Sequence, residues 1–436
     1  MKMSAFGVLA GFLSLLAAGS GVAAEEIAAE LGANPTLEEY VSYAVAHNPG
    51  LSAAHERFMA AAERPAQAKT LPEPLVTYKY SIQSDNERQS LGIEQMMPWP
   101  GKLKAAEGAA GHRAESKLHE YDNAAAQLAY RVSVAYCEYY YLGRAIAITA
   151  DNLDLLKQVE KVARARYSVS EASYADVLRA QVELGKLDDE LRALEDMKGP
   201  AAARLNAAIN RPAGEERPFP EALAEEDLAS SDDELLERLL AGNPELAAMA
   251  SDIRAAQAMI AFAKKQSRPD FMAGVEWRDM KKTAMGKGED MWMAMVGVSI
   301  PIWRAKYRAA ETEARHERLA AAAQRQETAN SLSAELREAA FGFRDARRKS
   351  DLYGRTLAPK AEQALKAVQV AYEAGSAQFT DLVDAQGSLL EFQMQYERAR
   401  ADRAKSLAWI RMLLGGSEKG DKTSTPAAAP NIEDNK

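Results

Sequence analysis

Asp381 and Asp384 stand three residues apart in a stretch with helical periodicity, so both carboxylates fall on one face of a helix. Like charges held close repel each other and attract cations. On residue type alone, two solvated aspartates on a helix are the simpler reading. Other groups able to do chemistry are scattered. Among the histidines, His47, His55, His112, His119 and His316, only His112 and His119 share a face, about 10 Å apart, too far for one metal ion. Met272, Met280, Met285, Met291, Met293 and Met295 gather in one region. Their thioethers can bind soft Cu(I) or Ag(I), although packing or lipid contact is the simpler role. Cys137 is the only cysteine, which rules out an intrachain disulfide, and its neighbours Tyr136, Tyr139 and Tyr140 suggest a buried helical position. No P-loop, GxSxG or HExxH motif occurs. The chain is expected to be no enzyme, with no cofactor and no metal site of its own.

The aspartate pair belongs to a segment that occurs twice. Tyr372 to Tyr396 aligns without a gap on Tyr167 to Leu191 at a spacing of 372 − 167 = 205. Tyr167/Tyr372, Ala172/Ala377, Asp176/Asp381, Ala180/Ala385, Gln181/Gln386 and Leu184/Leu389 are identical, so the chain is an internal duplication. Each copy is a turn of small residues feeding an amphipathic helix. Long proline-free or nearly proline-free stretches lead into the turns, Gly101 to Tyr167 and Lys306 to Tyr372, the second interrupted only by Pro359. At 1.5 Å per residue each could reach roughly 100 Å. Stripes such as Leu153-Leu156-Val159-Val162 carry the spacing of packed helices.

Ahead of each long stretch the apolar period changes from 3.6 to 2. Val76, Tyr78, Tyr80 and Ile82 alternate with Thr77, Lys79, Ser81 and Gln83; Leu91 and Ile93 alternate with Ser90, Gly92 and Glu94. The second copy repeats this with Phe271, Ala273, Val275 and Trp277 against Gly274, Glu276 and Arg278, followed by Trp292, Ala294, Val296, Val298 and Ile300 on one face. Two β-hairpins result, over 71–97 and 269–301, with polar loops Ser84–Arg88 and Asp279–Asp290 and strands of about 10 residues, long enough to cross a bilayer when tilted. A soluble half-buried sheet would alternate in the same way. Four strands cannot close a membrane barrel, and lipid does not tolerate an open edge, so a membrane reading requires several subunits.

Ahead of the hairpins lie helix pairs broken at Asn48-Pro49 and Asn243-Pro244, each opened by capping-box spacing, Thr36 with Glu39 and Ser231 with Glu234. The organisation is therefore a signal peptide at 1–24, with a short apolar run ending Val-Ala-Ala, and a first repeat at 25–210 whose long helical hairpin spans 101–210. A linker at 211–230 and a second repeat at 231–414, with its helical hairpin at 304–414, precede a disordered tail at 415–436. The fold class is mostly α with a small β part. Formal charge is −9, from 54 − 63, which argues against nucleic acid as a partner.

This arrangement, with Y-x-x-G-x-x-x-F-x-D-x-x-D-A-Q at Tyr372 to Gln386, resembles the TolC-type outer-membrane factor family over Thr36 to Leu414. MPWPGK at Met97 to Lys102 resembles its heavy-metal efflux branch. The resemblance implies a homotrimer in outer-membrane lipid, a 12-stranded β-barrel continued by a periplasmic α-helical barrel. It also implies a periplasmic adaptor and an inner-membrane RND-type transporter as partners. By resemblance Asp381 and Asp384 make rings of six carboxylates at the narrow end, and Asp176 and Tyr372 take part in links that hold it closed. The family's arginine partner falls on Ala377, with Arg179 as a possible substitute. The turns at Ser170 and Gly375 would dock the adaptor, Ser170 replacing the usual glycine, and Glu94 and Glu276 would face the lumen. A periplasmic helical-hairpin adaptor or structural protein, or the exit duct of a type I secretion system, are the competing readings.

Overall fold

The computed structural model describes residues 31–32, 34–82, 87–280 and 290–416. The signal peptide, the hairpin-loop interiors with Met285, and the tail beyond Gly416 lie outside the described residues. Three short helices open the chain: α1 (Leu37–His47), α2 (Pro49–Ala62) and α3 (Arg64–Ala68). Strands β1 (Leu75–Tyr80) and β2 (Glu87–Met97) follow, then α4 (Lys102–Ser168), α5 (Tyr174–Asp196) and α6 (Lys198–Ala208). The second repeat runs α7 (Asp232–Gly242), α8 (Pro244–Gln266), β3 (Phe271–Met280), β4 (Met291–Val298), α9 (Arg304–Leu352), α10 (Ala358–Glu373) and α11 (Phe379–Leu413).

The duplication extends to single hydrogen bonds. Both Asn-Pro breaks place asparagine as the N-cap: the Asn48 side chain accepts from Leu51 N at 3.1 Å, and that of Asn243 accepts from Leu246 N at 3.0 Å. Each asparagine also donates to the carbonyl that ends the final helix of its own repeat, Asn48 to Ala208 at 3.2 Å and Asn243 to Leu413 at 2.9 Å. Both repeats end alike. Asn210 and Gly415 adopt positive φ, and Arg211 N and Gly416 N donate back to Asn206 O and Arg411 O, each at 2.8 Å. Gly415, read from the sequence as the start of a disordered tail, is part of this helix cap.

Helix α4 is one continuous helix of 67 residues, about 100 Å long. Its counterpart is divided by a π-helical turn, Tyr353–Leu357, between α9 and α10. Pro359 has no N–H to give the preceding turn and its ring crowds that backbone; the wider turn absorbs the misfit. Gly354 is needed there, because a Cβ would meet the Tyr396 ring at 2.4 Å.

Packing repeats as well. One core joins α1, α2, α4 and α6 around Tyr40, Leu128, Tyr139, Tyr140 and Leu205. The equivalent core of the second repeat joins α7, α8, α9 and α11 around Leu235, Leu246, Leu336, Phe343 and Ile410. A third, made by α4, α5, α10 and α11 around Leu156, Val177, Leu365, Leu382 and Leu389, binds the two helical hairpins to each other. Alanines such as Ala145, Ala163, Ala180, Ala339 and Ala401 are fully buried where helices cross, so the backbones approach closely.

Candidate gate and pore-lining residues

The two twin turns are the same structure. Ser170 (φ 65°) and Gly375 (φ 78°) occupy the left-handed region. Ser170 N and Gly375 N donate to Tyr167 O and Tyr372 O at 3.0 Å; Glu171 N and Ser376 N donate to Arg166 O and Ala371 O at 2.8 Å. Ser170 therefore carries the glycine conformation without being glycine, at a cost of about 1 kcal/mol. Asp176 and Asp381 are the third helical residues of the following helices and close capping boxes there. Their carboxylates accept from Ser173 N at 3.2 Å and Gln378 N at 3.0 Å. Asp381 thus starts a helix as well as facing solvent, while Asp384 lies exposed one turn further on.

Tyr372 is 3% exposed, with its ring against Phe379 at 5.8 Å. Burial raises the pKa of its hydroxyl, and the charge of the Asp176 carboxylate of the same chain adds to this, without a hydrogen bond between the two. The cation beside them is Arg166, which the sequence reading did not single out. Its guanidinium lies 4.8 Å over the Tyr372 ring, donates to the Tyr372 carbonyl, and donates to Glu171 O at 3.3 Å. Arg166 ends α4 in the first repeat, whereas its counterpart in the second is Ala371, so the contact ties one hairpin tip to the other. Arg179 is exposed and takes no part in it.

At the other end the strands form one antiparallel sheet in the order β1-β2-β3-β4, with β1 and β4 at its edges. The rows Tyr78-Leu91-Trp277-Trp292 and Val76-Ile93-Val275-Ala294 place aromatic and aliphatic side chains on one face. Val76, Tyr78, Tyr80, Trp292 and Val296 are all well exposed in the single chain. The opposite face carries the rows Lys79-Ser90-Arg278-Met291, Thr77-Gly92-Glu276-Met293 and Leu75-Glu94-Gly274-Met295. Glu94 and Glu276 both lie there, but they differ. Glu276 is 4% exposed and paired with Arg278 at 3.0 Å and Lys79 at 3.9 Å, so it is no free lumenal charge. Glu94 has no ion pair among the described residues. On β4 this face holds methionine and glycine, where alternation with polar residues was expected.

MPWPGK fastens sheet to helices. Trp99 N donates to Asp270 Oδ1 at 2.8 Å, and Lys102, 8% exposed, donates to both Asp270 oxygens at 2.7 and 2.8 Å. Trp99 stacks on Phe271 at 5.9 Å, and Gly101 turns with φ 82°. The motif in the first repeat thereby grips the start of β3 in the second. The histidines stay apart: His112 pairs with Glu115 and His119 with Asp122. Among the described residues no group of three or more His, Cys, Asp or Glu side chains could hold a metal ion.

The family model described as outer membrane efflux protein matches residues 235–416. Over 385 residues the chain is 24% identical to the cobalt-zinc-cadmium resistance protein CzcC of Cupriavidus metallidurans, covering 87% of this chain and 90% of that protein. The structure is similar to the outer-membrane channel OprN, with TM-score 0.75, 17% identity and coverage of 87% and 90%. It is also similar to the open state of the Neisseria gonorrhoeae MtrE outer membrane channel, with TM-score 0.74, 19% identity and coverage of 90% and 92%.

Proposed function

We propose that this chain, which belongs to the outer membrane efflux protein family, is the passive exit duct of a tripartite efflux system. The sheet carries this reading. Four strands with an exposed aromatic and aliphatic outer face cannot satisfy their edge N–H and C=O groups in lipid. Three copies, with β4 of one paired to β1 of the next, make a closed 12-stranded barrel and remove every edge. Helices of about 100 Å then carry the duct from the outer membrane into the periplasm.

In this reading the twin turns are the periplasmic tip, where Ser170 and Gly375 face a periplasmic adaptor that connects to an inner-membrane RND-type transporter. Chemical work is done by the transporter; the duct only opens and closes. Asp384 and Asp381 give the narrow end its negative charge, while the Arg166–Tyr372 contact, with the Asp176 carboxylate acting at longer range, holds the tips together. Likeness to a cobalt-zinc-cadmium resistance protein supports heavy-metal cations as cargo.

The test is the assembly and its conductance. Native mass measurement in mild detergent is expected to give a trimer, and planar bilayers are expected to show cation-preferring channels. A monomer recovered from the soluble periplasmic fraction would refute the duct and favour a periplasmic adaptor.

A further inference from the structure

Of the seven methionines in β2, β3 and β4, six share one face of the sheet, and it is the face of Glu94 and Glu276. Met96, Met272, Met280, Met291, Met293 and Met295 point there by register, and only Met97 lies on the apolar outer face. Lipid contact, the simpler sequence explanation, would have placed them on the outer side. A water-filled barrel interior ordinarily carries polar residues at these positions. On β4 the inner positions from Met291 to Gly297 are three methionines and a glycine.

The register gathers the thioethers around one carboxylate. Glu94 pairs with Gly274, and its Cγ lies 2.9 Å from where a Cβ on Gly274 would be. Met295 also pairs with Gly274, from the other side. Met272 is two residues along β3, Met96 is two residues along β2, and Met96 and Met272 pair directly. The Met272 methyl lies over Gly297, 3.0 Å from its absent Cβ. Glycines at 274 and 297 leave room for these side chains to lie across the sheet.

We infer that Met96, Met272 and Met295, with Glu94, form a lumenal site for a soft monovalent cation such as Cu(I) or Ag(I), and that Met293 and Met291 extend it as a track along β4. The inference rests on the duct reading, since it needs this face to be the lumen. Thioethers are neutral, soft donors that suit Cu(I) and Ag(I); Zn(II) prefers thiolate, imidazole or carboxylate. One carboxylate balances one positive charge. Alternate residues on β4 are about 6.8 Å apart, so a cation can pass between several weak positions and still leave.

The test uses full-length detergent-purified trimer carrying Cys137→Ala, which removes the only thiol, dialysed to equilibrium against silver nitrate in chloride-free buffer. Retained silver is counted by elemental analysis, with zinc run in parallel. Silver is expected to be held by the Cys137→Ala protein, and zinc not to be. The triple variant Met96→Leu/Met272→Leu/Met295→Leu keeps volume and apolarity and is expected to lower retention at least tenfold. Glu94→Gln should weaken silver binding about tenfold with the thioethers in place. Each variant is checked for trimer mass and bilayer conductance. Channels that conduct but hold no silver, or a triple variant that holds as much as its parent, would overturn the site. Loss of trimer and conductance in the parent protein would instead refute the duct.

Discussion

Arg166→Ala isolates the contact between the two hairpin tips. In the native chain the guanidinium donates to the Tyr372 carbonyl, lies 4.8 Å over the Tyr372 ring, and its side chain is 14% exposed. A hydrogen bond from a charged donor contributes about 1.5–3 kcal/mol, and the cation–π contact about 0.5–1 kcal/mol. The longer contact to Glu171 O, at 3.3 Å, adds little. Loss of the contact should cost about 2–3 kcal/mol, or about 30- to 150-fold in the balance between joined and separated tips. Because this contact belongs to the closed arrangement in the duct reading, single channels in planar bilayers should leave the closed level correspondingly more often. Amide exchange across Ala371 to Ala377 should quicken in parallel. Arg166→Lys keeps the charge and part of the ring contact but loses the planar fork, so it should fall between the two. An Arg166→Ala channel with wild-type closed occupancy and wild-type exchange at that turn would refute the reasoning, leaving Arg166 as a largely buried cation with no part in holding the tips.

The other predictions follow from single contacts. Lys102→Met leaves Asp270 without its cation; because Asp270 keeps partial solvent access, the cost should be about 2–3 kcal/mol, read from the denaturant midpoint of the trimer. Gly375→Ser should cost about 1–2 kcal/mol at the tip, since its Cβ would meet Arg166 at 3.2 Å in a left-handed turn, whereas Ser170→Gly should be neutral or slightly stabilising; local amide exchange separates them. Burial pushes Tyr136 and Tyr139 up to about 12 from 10, so the folded state favours their neutral form. Their contribution should be intact below pH 10 and disappear as pH rises toward 12, seen as delayed tyrosinate absorbance followed by loss of helicity. Asp381→Ala should cost about 1 kcal/mol by removing a capping-box acceptor, while Asp384→Ala should leave stability unchanged and lower cation preference, so unfolding and ion selectivity separate the two.

What could be read from the sequence is what repeats. The turn segments 205 residues apart, the Asn-Pro breaks, the strand alternation and the capping boxes are local signals, and each appears twice. Ser170 is a case in point: the residue type argued against equivalence with Gly375, and the backbone made the turns alike because the surrounding hydrogen bonds are the same. Arg166 left no signal, since it lies outside the identical positions and acts across 206 residues on a backbone carbonyl. Lys102 was visible as part of MPWPGK but its partner Asp270 was not, because the pairing depends on β2 lying beside β3. The methionines were noticed as a cluster, yet their side of the sheet follows only from register, which a single-residue slip would reverse.

Where the repeats differ is where one protomer can be asymmetric around a shared axis. Asp176 and Asp381 are equivalent and both cap helices, so they give each tip the same start. One turn on, the first repeat has Arg179 where the second has Asp384, and both are exposed. Arg166 reaches across to the second repeat, and Ala371 cannot return the contact. The unbroken α4 has as its counterpart in the second repeat a helix divided by a π turn at Tyr353–Leu357. The π turn, acceptor carbonyl and extra carboxylate therefore fall on the second repeat, while the cation and unbroken helix fall on the first. In the duct reading, opening the tip would require Arg166 to release the Tyr372 carbonyl, separating the α4–α5 tip from the α10–α11 tip.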